Sequence, residues 1–248
     1  MRKMIFAGIL LAGIMTLTGC FGAGNDNGLN TKPIYNYDYS QMKLVQFDEP
    51  YEGQPVADIE TTLGNFRVVL YPEYAPNTVQ NFIDRAKEGY YNGKPIYGIY
   101  EKSLFTTGAE NEQKNSGVTS DGAPIPNEYS VNLWPFKGAL CSYNGRVGYG
   151  DSRFFAIYDH ELTDEQKQQL RDFTKEDGSK LFPDELCDAM IEKGGIADFM
   201  GGYTVFAQTI EGIDVIEKIC SAEIDPNTYD PVEPISINKV TVGEYHAE

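Results

Sequence analysis

Residues 62 to 83 read Thr-Leu-Gly-Asn-Phe-Arg-Val-Val-Leu-Tyr-Pro-Glu-Tyr-Ala-Pro-Asn-Thr-Val-Gln-Asn-Phe-Ile, and this stretch decides the fold. Two runs of alternating residues, Val56 to Thr62 and Asn65 to Tyr71, flank Leu63-Gly64, a pattern that predicts a β-hairpin. Pro76 then suits the first turn of a helix, and apolar residues follow it at helical spacing: Val79, Phe82, Ile83 and Ala86. The folded part of the chain is therefore predicted to begin with two paired strands and a helix.

The chain beyond this helix consists mainly of short apolar runs separated by Gly, Pro, Asn or Asp. These runs span residues 95–100, 104–107, 138–142, 154–158, 204–210 and 235–242. Together with the opening hairpin they give eight short strands, and only a few helices flank them. This pattern predicts a mainly β fold, a closed eight-stranded antiparallel barrel capped by two helices.

Several motifs, taken in order, resemble those of the cyclophilin-type peptidyl-prolyl cis/trans isomerases. The segment 59–93 is similar to the opening of a cyclophilin domain, and Lys137-Gly138-Ala139-Leu140 resembles a strand of that family. Asp151-Ser152-Arg153-Phe154-Phe155 looks like the family's Ser-Gln-Phe-Phe motif, and Tyr203 to Ile219 resembles its last core strand and closing helix. The resemblance extends from about Ala57 to Val242. It implies the same barrel and the isomerisation of X-Pro peptide bonds.

The first twenty residues have the pattern of a bacterial lipoprotein signal. Arg2-Lys3 is a short basic region, and the uncharged run Met4 to Met15 is shorter than the roughly 20 residues that span a bilayer. Leu17-Thr18-Gly19-Cys20 resembles the lipobox, which implies that a signal peptide, residues 1–19, is removed and that Cys20 is lipidated. We therefore expect a lipid-anchored protein on the extracytoplasmic face of the cell membrane. The alternative is an ordinary secretory signal with a chance cysteine.

Residues 20–54 are interpreted as the lipidated cysteine and a flexible tether. They are rich in Gly, Asn, Asp and Tyr and show no sustained period of two or 3.6. The tyrosines Tyr35, Tyr37 and Tyr39 either pack back onto the domain or lie in a loop. The folded domain is assigned to residues 55–248.

An insertion of about residues 159–200 distinguishes this domain from compact cyclophilins. A capping box, Thr163-x-x-Gln166, starts a first helix with an apolar face, and a second helix follows Pro183. The insertion is therefore predicted to be a helical hairpin near the rim of the substrate pocket. Two roles remain open for it: it limits which chains enter the pocket, or it is a stabilising surface flap.

The composition excludes several classes of function. Twenty basic against 37 acidic residues give a net charge of −17, which argues against nucleic-acid binding because a phosphate backbone requires a basic surface. The two histidines, His160 and His246, lie too far apart for a local metal-binding motif, and we expect neither a metal nor a cofactor. Three cysteines remain after Cys20 and are expected to be buried free thiols. The expected partners are X-Pro segments of secreted or surface proteins, and the chain is expected to be a monomer.

Isomerisation of an X-Pro bond must overcome a barrier of about 18 to 20 kcal/mol that comes from amide resonance. A catalyst needs an apolar cup for the proline ring and a cationic donor that stabilises the twisted amide more than the planar one. In cyclophilins this donor is an arginine on a strand. Counted back from Gly108, the arginine's position in this chain is Ile99 and the following glutamine's position is Thr107. Leu104 and Phe105 take the two apolar pocket positions, so the cup is predicted to persist without its donor.

The resemblance places the opposite wall of the pocket on four residues. Phe155 would form its floor, Asn144 would hold the substrate backbone, and Phe199 with Tyr203 would form the rim. Arg153 stands at the position of the family's second glutamine. Its guanidinium could donate to the substrate amide from a new direction, or could pair with a nearby acid, Asp151 or Glu101.

Two functions are consistent with these residues. The first is a lipid-anchored isomerase with weakened catalysis that assists the folding of secreted proteins. The second is an inactive cyclophilin-like module that binds proline-containing or unfolded segments. If Ile99 alone explains a weak activity, Ile99→Arg together with Thr107→Gln should raise the rate.

Overall fold

The strands of this protein pair antiparallel and form one curled sheet. The computed structural model describes residues 37–111 and 113–247, so the predicted signal peptide, Cys20 and the first part of the tether lie outside the described residues. The strands are β1 (Pro55–Thr61), β2 (Gly64–Leu70), β3 (Tyr97–Tyr100), β4 (Leu104–Thr107), β5 (Ile125–Pro126), β6 (Ala139–Arg146), β7 (Tyr149–Ile157), β8 (Val205–Glu211) and β9 (Ile237–Glu244). Their order across the sheet is β3-β4-β7-β6-β8-β2-β1-β9, with β5 paired to β7.

Alternate residues of the strands fill the barrel interior together with two helices, α1 (Pro76–Lys87) and α4 (Ile213–Cys220). Phe82 of α1 lies at the centre of this cluster, with ring centroids 5.7 Å from Phe154 and 5.4 Å from Phe206. From α4, Ile216 and Ile219 are fully buried in the same cluster. The predicted antiparallel barrel with two capping helices is thus confirmed.

The closure of the barrel is less complete than the sequence predicted. In the described residues, the edge strands β3 and β9 are joined by an isolated bridge between Pro95 and Ser236 rather than by a continuous ladder. Three further hydrogen bonds join these segments: from the Gly93 amide to the Ile237 carbonyl, from the Ile96 amide to the Ile235 carbonyl, and from the Ile237 amide to the Lys94 carbonyl. The segment that leads into β3 therefore closes the sheet.

A buried carboxylate caps the N-terminus of α1. Glu128 is 3% exposed and accepts four hydrogen bonds, from the amides and side chains of Asn77 and Thr78. Ala75, which precedes the helix, provides no side-chain cap. Because the N-terminal amides and the helix dipole favour a negative charge, this remote glutamate fixes α1 to the loop before β6.

We expect Glu128→Gln to lower the free energy of unfolding by about 2 kcal/mol, because an amide removes the charge from hydrogen bonds that are each worth more when charge-assisted. Urea unfolding of the two proteins measures this difference. Glu161→Gln is the matched control, since Glu161 is exposed and should leave stability unchanged. Equal losses in both variants would contradict the role of Glu128.

Residues 37–54 are part of the folded domain and not of a flexible tether, which corrects the predicted boundary. The side chain of Gln46 is buried, donates to the Trp134 carbonyl and the Gln208 side chain, and accepts from the Trp134 amide. The ring of Tyr39 stacks on Trp134 with centroids 6.3 Å apart. The composition of this segment could not predict these contacts, because their partners lie about 90 or more positions away in the sequence.

The insertion contains the predicted hairpin, with α2 (Asp164–Asp172) and α3 (Asp184–Lys193). The predicted capping box of Thr163 and Gln166 is formed at the start of α2. A separate apolar cluster lies beneath the two helices and includes Trp134, Phe136 and Tyr37 as well as residues of the hairpin. The hairpin is therefore built into the domain through a second core, which favours its structural role.

Three cysteines of the domain, Cys141, Cys187 and Cys220, are buried free thiols as predicted. Burial raises their pKa, to about 11 for Cys187, so they stay protonated at neutral pH. Among the residues described, none of the helices has the length and apolar character that a membrane span requires.

Candidate functional site

Strand β3 contains an irregularity that decides which of its residues face the predicted pocket. Gly98 has φ of 54°, and the register with β4 shifts between Tyr97 and Tyr100. Because of this shift, Tyr97 lies opposite Thr106 on the outer face of the sheet. Ile99 instead points into the barrel interior, where it is fully buried among the core residues. The residue of β3 that faces the site is thus Tyr97.

Strand β4 alternates between the two faces in the same way. Leu104 belongs to the apolar cluster of the outer face, which also contains Phe155. Phe105 lies in the barrel interior with its ring edge towards Phe66, the centroids being 6.5 Å apart. The Thr107 hydroxyl is also turned away from the pocket and donates to the Pro95 carbonyl at 2.9 Å.

Three residues expected at the pocket from the family resemblance are therefore placed elsewhere. Ile99, Phe105 and Thr107 lie inside the barrel and do not meet Phe155. The physical reason is the period of two in a strand: a shift of one residue moves every side chain to the opposite face. The glycine at position 98, inside an otherwise apolar strand, was the signal in the sequence for an irregularity in β3.

Phe155, Phe199 and Tyr203 come together as the predicted aromatic cluster. The Phe155 centroid is 5.5 Å from that of Phe199 and 5.0 Å from that of Tyr203, both in edge-to-face contact. Phe199 and Tyr203 are themselves 4.8 Å apart and half-buried, whereas Phe155 is only 3% exposed. The two outer rings therefore cover the floor of the pocket in this structure, and a proline ring reaches Phe155 only when they move.

Local turns hold the rim of this cluster. Phe199 ends a short 3-10 helix, Ala197–Phe199, and Tyr203 lies two residues before the start of β8. The side-chain amide of Asn144, on β6, donates to the Gly202 carbonyl at 3.2 Å and so ties the rim to the neighbouring strand. The Asn144 Oδ1 atom is buried and has no hydrogen-bond partner among the described residues. The Tyr97 hydroxyl is also buried and also has no hydrogen-bond partner among these residues.

Arg153 lies on the same face of β7 as Phe155, two residues before it. Its guanidinium makes a bidentate pair with Asp151, with Nε 3.0 Å from Oδ1 and a terminal nitrogen 2.6 Å from Oδ2. The guanidinium carbon lies 4.6 Å from the centroid of the Tyr143 ring, in a cation-π contact. Of the two roles considered for this arginine, the structure contains the pairing with Asp151.

The charge of Arg153 is held in a nearly dry environment. The residue is 4% exposed. Burial alone disfavours its charge, but the hydrogen bonds and charge of Asp151 outweigh this effect and raise its pKa. A Cβ on Gly145 would come within 2.1 Å of the guanidinium, so a glycine at this position lets the backbone close over the pair. Arg153 is therefore a fixed, charged donor beside an apolar aromatic pocket.

This arrangement provides the two elements that amide rotation requires. An aromatic pocket can hold the proline ring, and a guanidinium in a water-poor place stabilises charge that develops as the amide twists. The Cα atoms of successive residues on one face of a strand are about 6.6 Å apart, so Arg153 and Phe155 leave β7 next to each other on the same face. Sequence reasoning identified Arg153 and Phe155 but missed Tyr97 and Tyr143, which flank the guanidinium.

Comparisons with known proteins agree with this geometry. The family model "Cyclophilin type peptidyl-prolyl cis-trans isomerase/CLD" matches residues 56–242. A Staphylococcus saprophyticus protein named "putative peptidyl-prolyl cis-trans isomerase" is 30% identical over 75% of this chain and 90% of its own length. A Staphylococcus aureus protein of the same name is 29% identical over 79% of this chain and 95% of its own.

A solved structure has the same fold. The cyclophilin type peptidyl-prolyl cis-trans isomerase of Cryptosporidium parvum aligns with a TM-score of 0.59 over 79% of this chain and 99% of its own. A second crystal structure of that protein, solved in the presence of the dipeptide Ala-Pro, aligns with a TM-score of 0.58. The sequence identity is 16% in both cases, so the likeness is one of fold.

Proposed function

This chain belongs to the cyclophilin-type peptidyl-prolyl cis-trans isomerase family, and on that premise we propose that it is a lipid-anchored, extracytoplasmic isomerase with weakened catalysis. It assists the folding of secreted proteins by exchanging the isomers of their X-Pro bonds. Spontaneous exchange takes tens to hundreds of seconds, which is slow enough to limit folding.

The observation that carries this proposal is the position of Arg153 beside the aromatic pocket. It is a buried cation on the same face of β7 as Phe155. The guanidinium has five N–H donors. Two nitrogens are bound to Asp151, and the third makes only a long contact of 3.4 Å with the Lys114 carbonyl. This third nitrogen is the group that can turn to a substrate amide.

Two features of the same residues support a weakened rate. The resemblance placed the family arginine at Ile99, which is buried in the core, and the residue of β3 that faces the site is a tyrosine, Tyr97, which carries no charge to donate. Arg153 is shielded from solvent, and the Tyr143 ring that covers it must move before substrate can reach it. A donor that must first be uncovered stabilises the twisted amide by less than a donor that is already exposed.

A second candidate function, binding without catalysis, is favoured by one observation. The bidentate bond to Asp151 engages two of the three guanidinium nitrogens in the unliganded protein. If that bond persists when a chain binds, the aromatic pocket still holds a proline but nothing stabilises the twisted amide. The rate of cis/trans exchange of an Ala-Pro peptide, measured by NMR, distinguishes the two functions. Both functions predict that the peptide binds, but only an isomerase accelerates the exchange.

Membrane anchoring by Cys20 is supported by the lipobox-like tetrad and is tested by substitution. We expect the Cys20→Ser protein, expressed in a bacterium with its own signal, to move from the membrane to the soluble extracytoplasmic fraction, because two acyl chains provide stable anchoring and their loss removes it. Cys220→Ser is the control and should remain in the membrane. Recovery of the Cys20→Ser protein in membranes would contradict lipidation of this residue.

A further inference from the structure

A cleft of about 200 Å³ lies outside the aromatic pocket, between residues 45–54 and the end of β2. Its apolar lining includes the side chains of Val45 and Val69. Its polar lining consists of one amide, three tyrosines and three carboxylates: Gln54, Tyr51, Tyr71, Tyr74, Asp48, Glu49 and Glu73. Such a combination of aromatic rings and acids around an open cleft suits an organic cation.

The three carboxylates have no ion-pair partner in the described part of the chain. Neither Lys nor Arg lies within salt-bridge distance of Asp48, Glu49 or Glu73, although eleven other ion pairs are present. No lysine or arginine lines the cleft. Its negative charge is therefore available to a ligand.

The tyrosines and the acids of the cleft lie close to each other. The Tyr71 and Tyr74 ring centroids are 6.4 Å apart. Burial, followed by the charge of Asp48, raises the pKa of Tyr71, and burial followed by Glu73 raises the pKa of Tyr51. A cation between these rings would consequently meet both ring faces and carboxylate charge.

An open hydrogen-bonding group points to the same ligand. Tyr71 is only 6% exposed and lines the cleft, and no hydrogen bond to its hydroxyl is present among the described residues. The hydroxyl is not one of the fully buried polar atoms that lack a partner, so it is open to solvent. A phenol oxygen in this position can accept a hydrogen bond from an ammonium or guanidinium N–H.

We propose that the cleft binds the basic end of a Lys or Arg side chain presented by a polypeptide. The ammonium or guanidinium would lie between the tyrosine rings and the carboxylates, and its methylene stem would pack on the apolar lining. The net charge of −17 attracts basic segments to the protein as a whole. The site is distinct from the aromatic pocket and does not depend on isomerase activity.

The test is titration of the full chain with blocked amino acids, followed by NMR of ring-labelled tyrosines. N-acetyl-lysine methylamide should bind at least about fivefold more tightly than its neutral analogue, N-acetyl-norleucine methylamide, with shifts at Tyr71 and Tyr74. Asp48→Asn with Glu73→Gln should weaken lysine binding at least about fivefold. Glu161→Gln with Glu185→Gln removes the same charge from exposed positions away from the cleft and should leave affinity unchanged.

Three results would overturn the proposal. Equal affinity for the lysine and norleucine derivatives would show that charge is not recognised. Equal weakening in both double variants would show only the effect of net charge. Butylammonium that binds as tightly as the blocked lysine would assign the cleft to free amines and not to polypeptides.

Discussion

Ile99→Arg is expected to unfold the barrel and not to restore catalysis. Ile99 is fully buried in the core, and a guanidinium there would have no acid to pair with among the residues of that cluster. The cost of an unpaired buried charge is several kcal/mol, which is comparable with the total stability of a domain. Thermal unfolding followed by circular dichroism should show a Tm lowered by tens of degrees, or no folded protein.

Tyr97→Arg is the matched variant, because it places the same side chain on the outer face, two residues earlier. Tyr97 lies beside the Arg153–Asp151 pair and outside the barrel core, and its own hydroxyl has no partner to lose among the described residues. We expect this variant to stay folded, with a much smaller loss in Tm. A folded Ile99→Arg protein with a faster isomerisation rate would contradict the assignment of faces on β3.

Replacing the Arg153–Asp151 pair by Arg153→Gln with Asp151→Asn is expected to lower kcat/KM for an X-Pro peptide about a hundredfold. Removal of one such donor in a water-poor site costs roughly 2.7 to 4 kcal/mol in the transition state. Both partners are changed because Asp151 alone would be left as a buried, unpaired charge. Replacing the ion pair by two amides should change the free energy of unfolding by no more than about 1 kcal/mol.

A second arginine-aspartate pair on the sheet provides the control. Arg67 on β2 binds Asp58 on β1 with the same bidentate geometry, at 2.6 and 3.0 Å, and lies away from the aromatic pocket. Arg67→Gln with Asp58→Asn should leave kcat/KM unchanged. If this variant loses as much activity as the change at Arg153, the loss reflects the stability of the sheet and not a donor to the substrate.

The parts of the fold that follow from local patterns were predictable from the sequence. The hairpin of β1 and β2, the helix after Pro76 and the capping box at Thr163 each depend on residues within a few positions of one another. The aromatic cluster was predictable from the family resemblance, since Phe155 and Tyr203 lie in the motifs that carry it.

The features that the sequence did not reveal depend on distant contacts or on a single dihedral angle. Glu128 caps a helix about 50 residues earlier, and Gln46 is held by Trp134, so neither leaves a local signal. Thr107, Phe105 and Ile99 were mispredicted together, because the count from Gly108 assigned all three to the wrong face, and the positive φ of Gly98 then turns Tyr97 to the outer face. A count of positions between motifs does not detect a bulge, because it assumes that both chains have the same register.

The most direct test is the cis/trans exchange rate of an Ala-Pro peptide in the presence of the unmodified protein, measured by NMR exchange spectroscopy without a coupled protease. If the protein is a weakened isomerase whose donor is Arg153, the exchange rate should exceed the uncatalysed rate and should rise linearly with protein concentration. The acceleration should be lost in the variant Arg153→Gln with Asp151→Asn. Peptide binding with exchange at the uncatalysed rate would contradict this prediction and would identify the protein as a binding module.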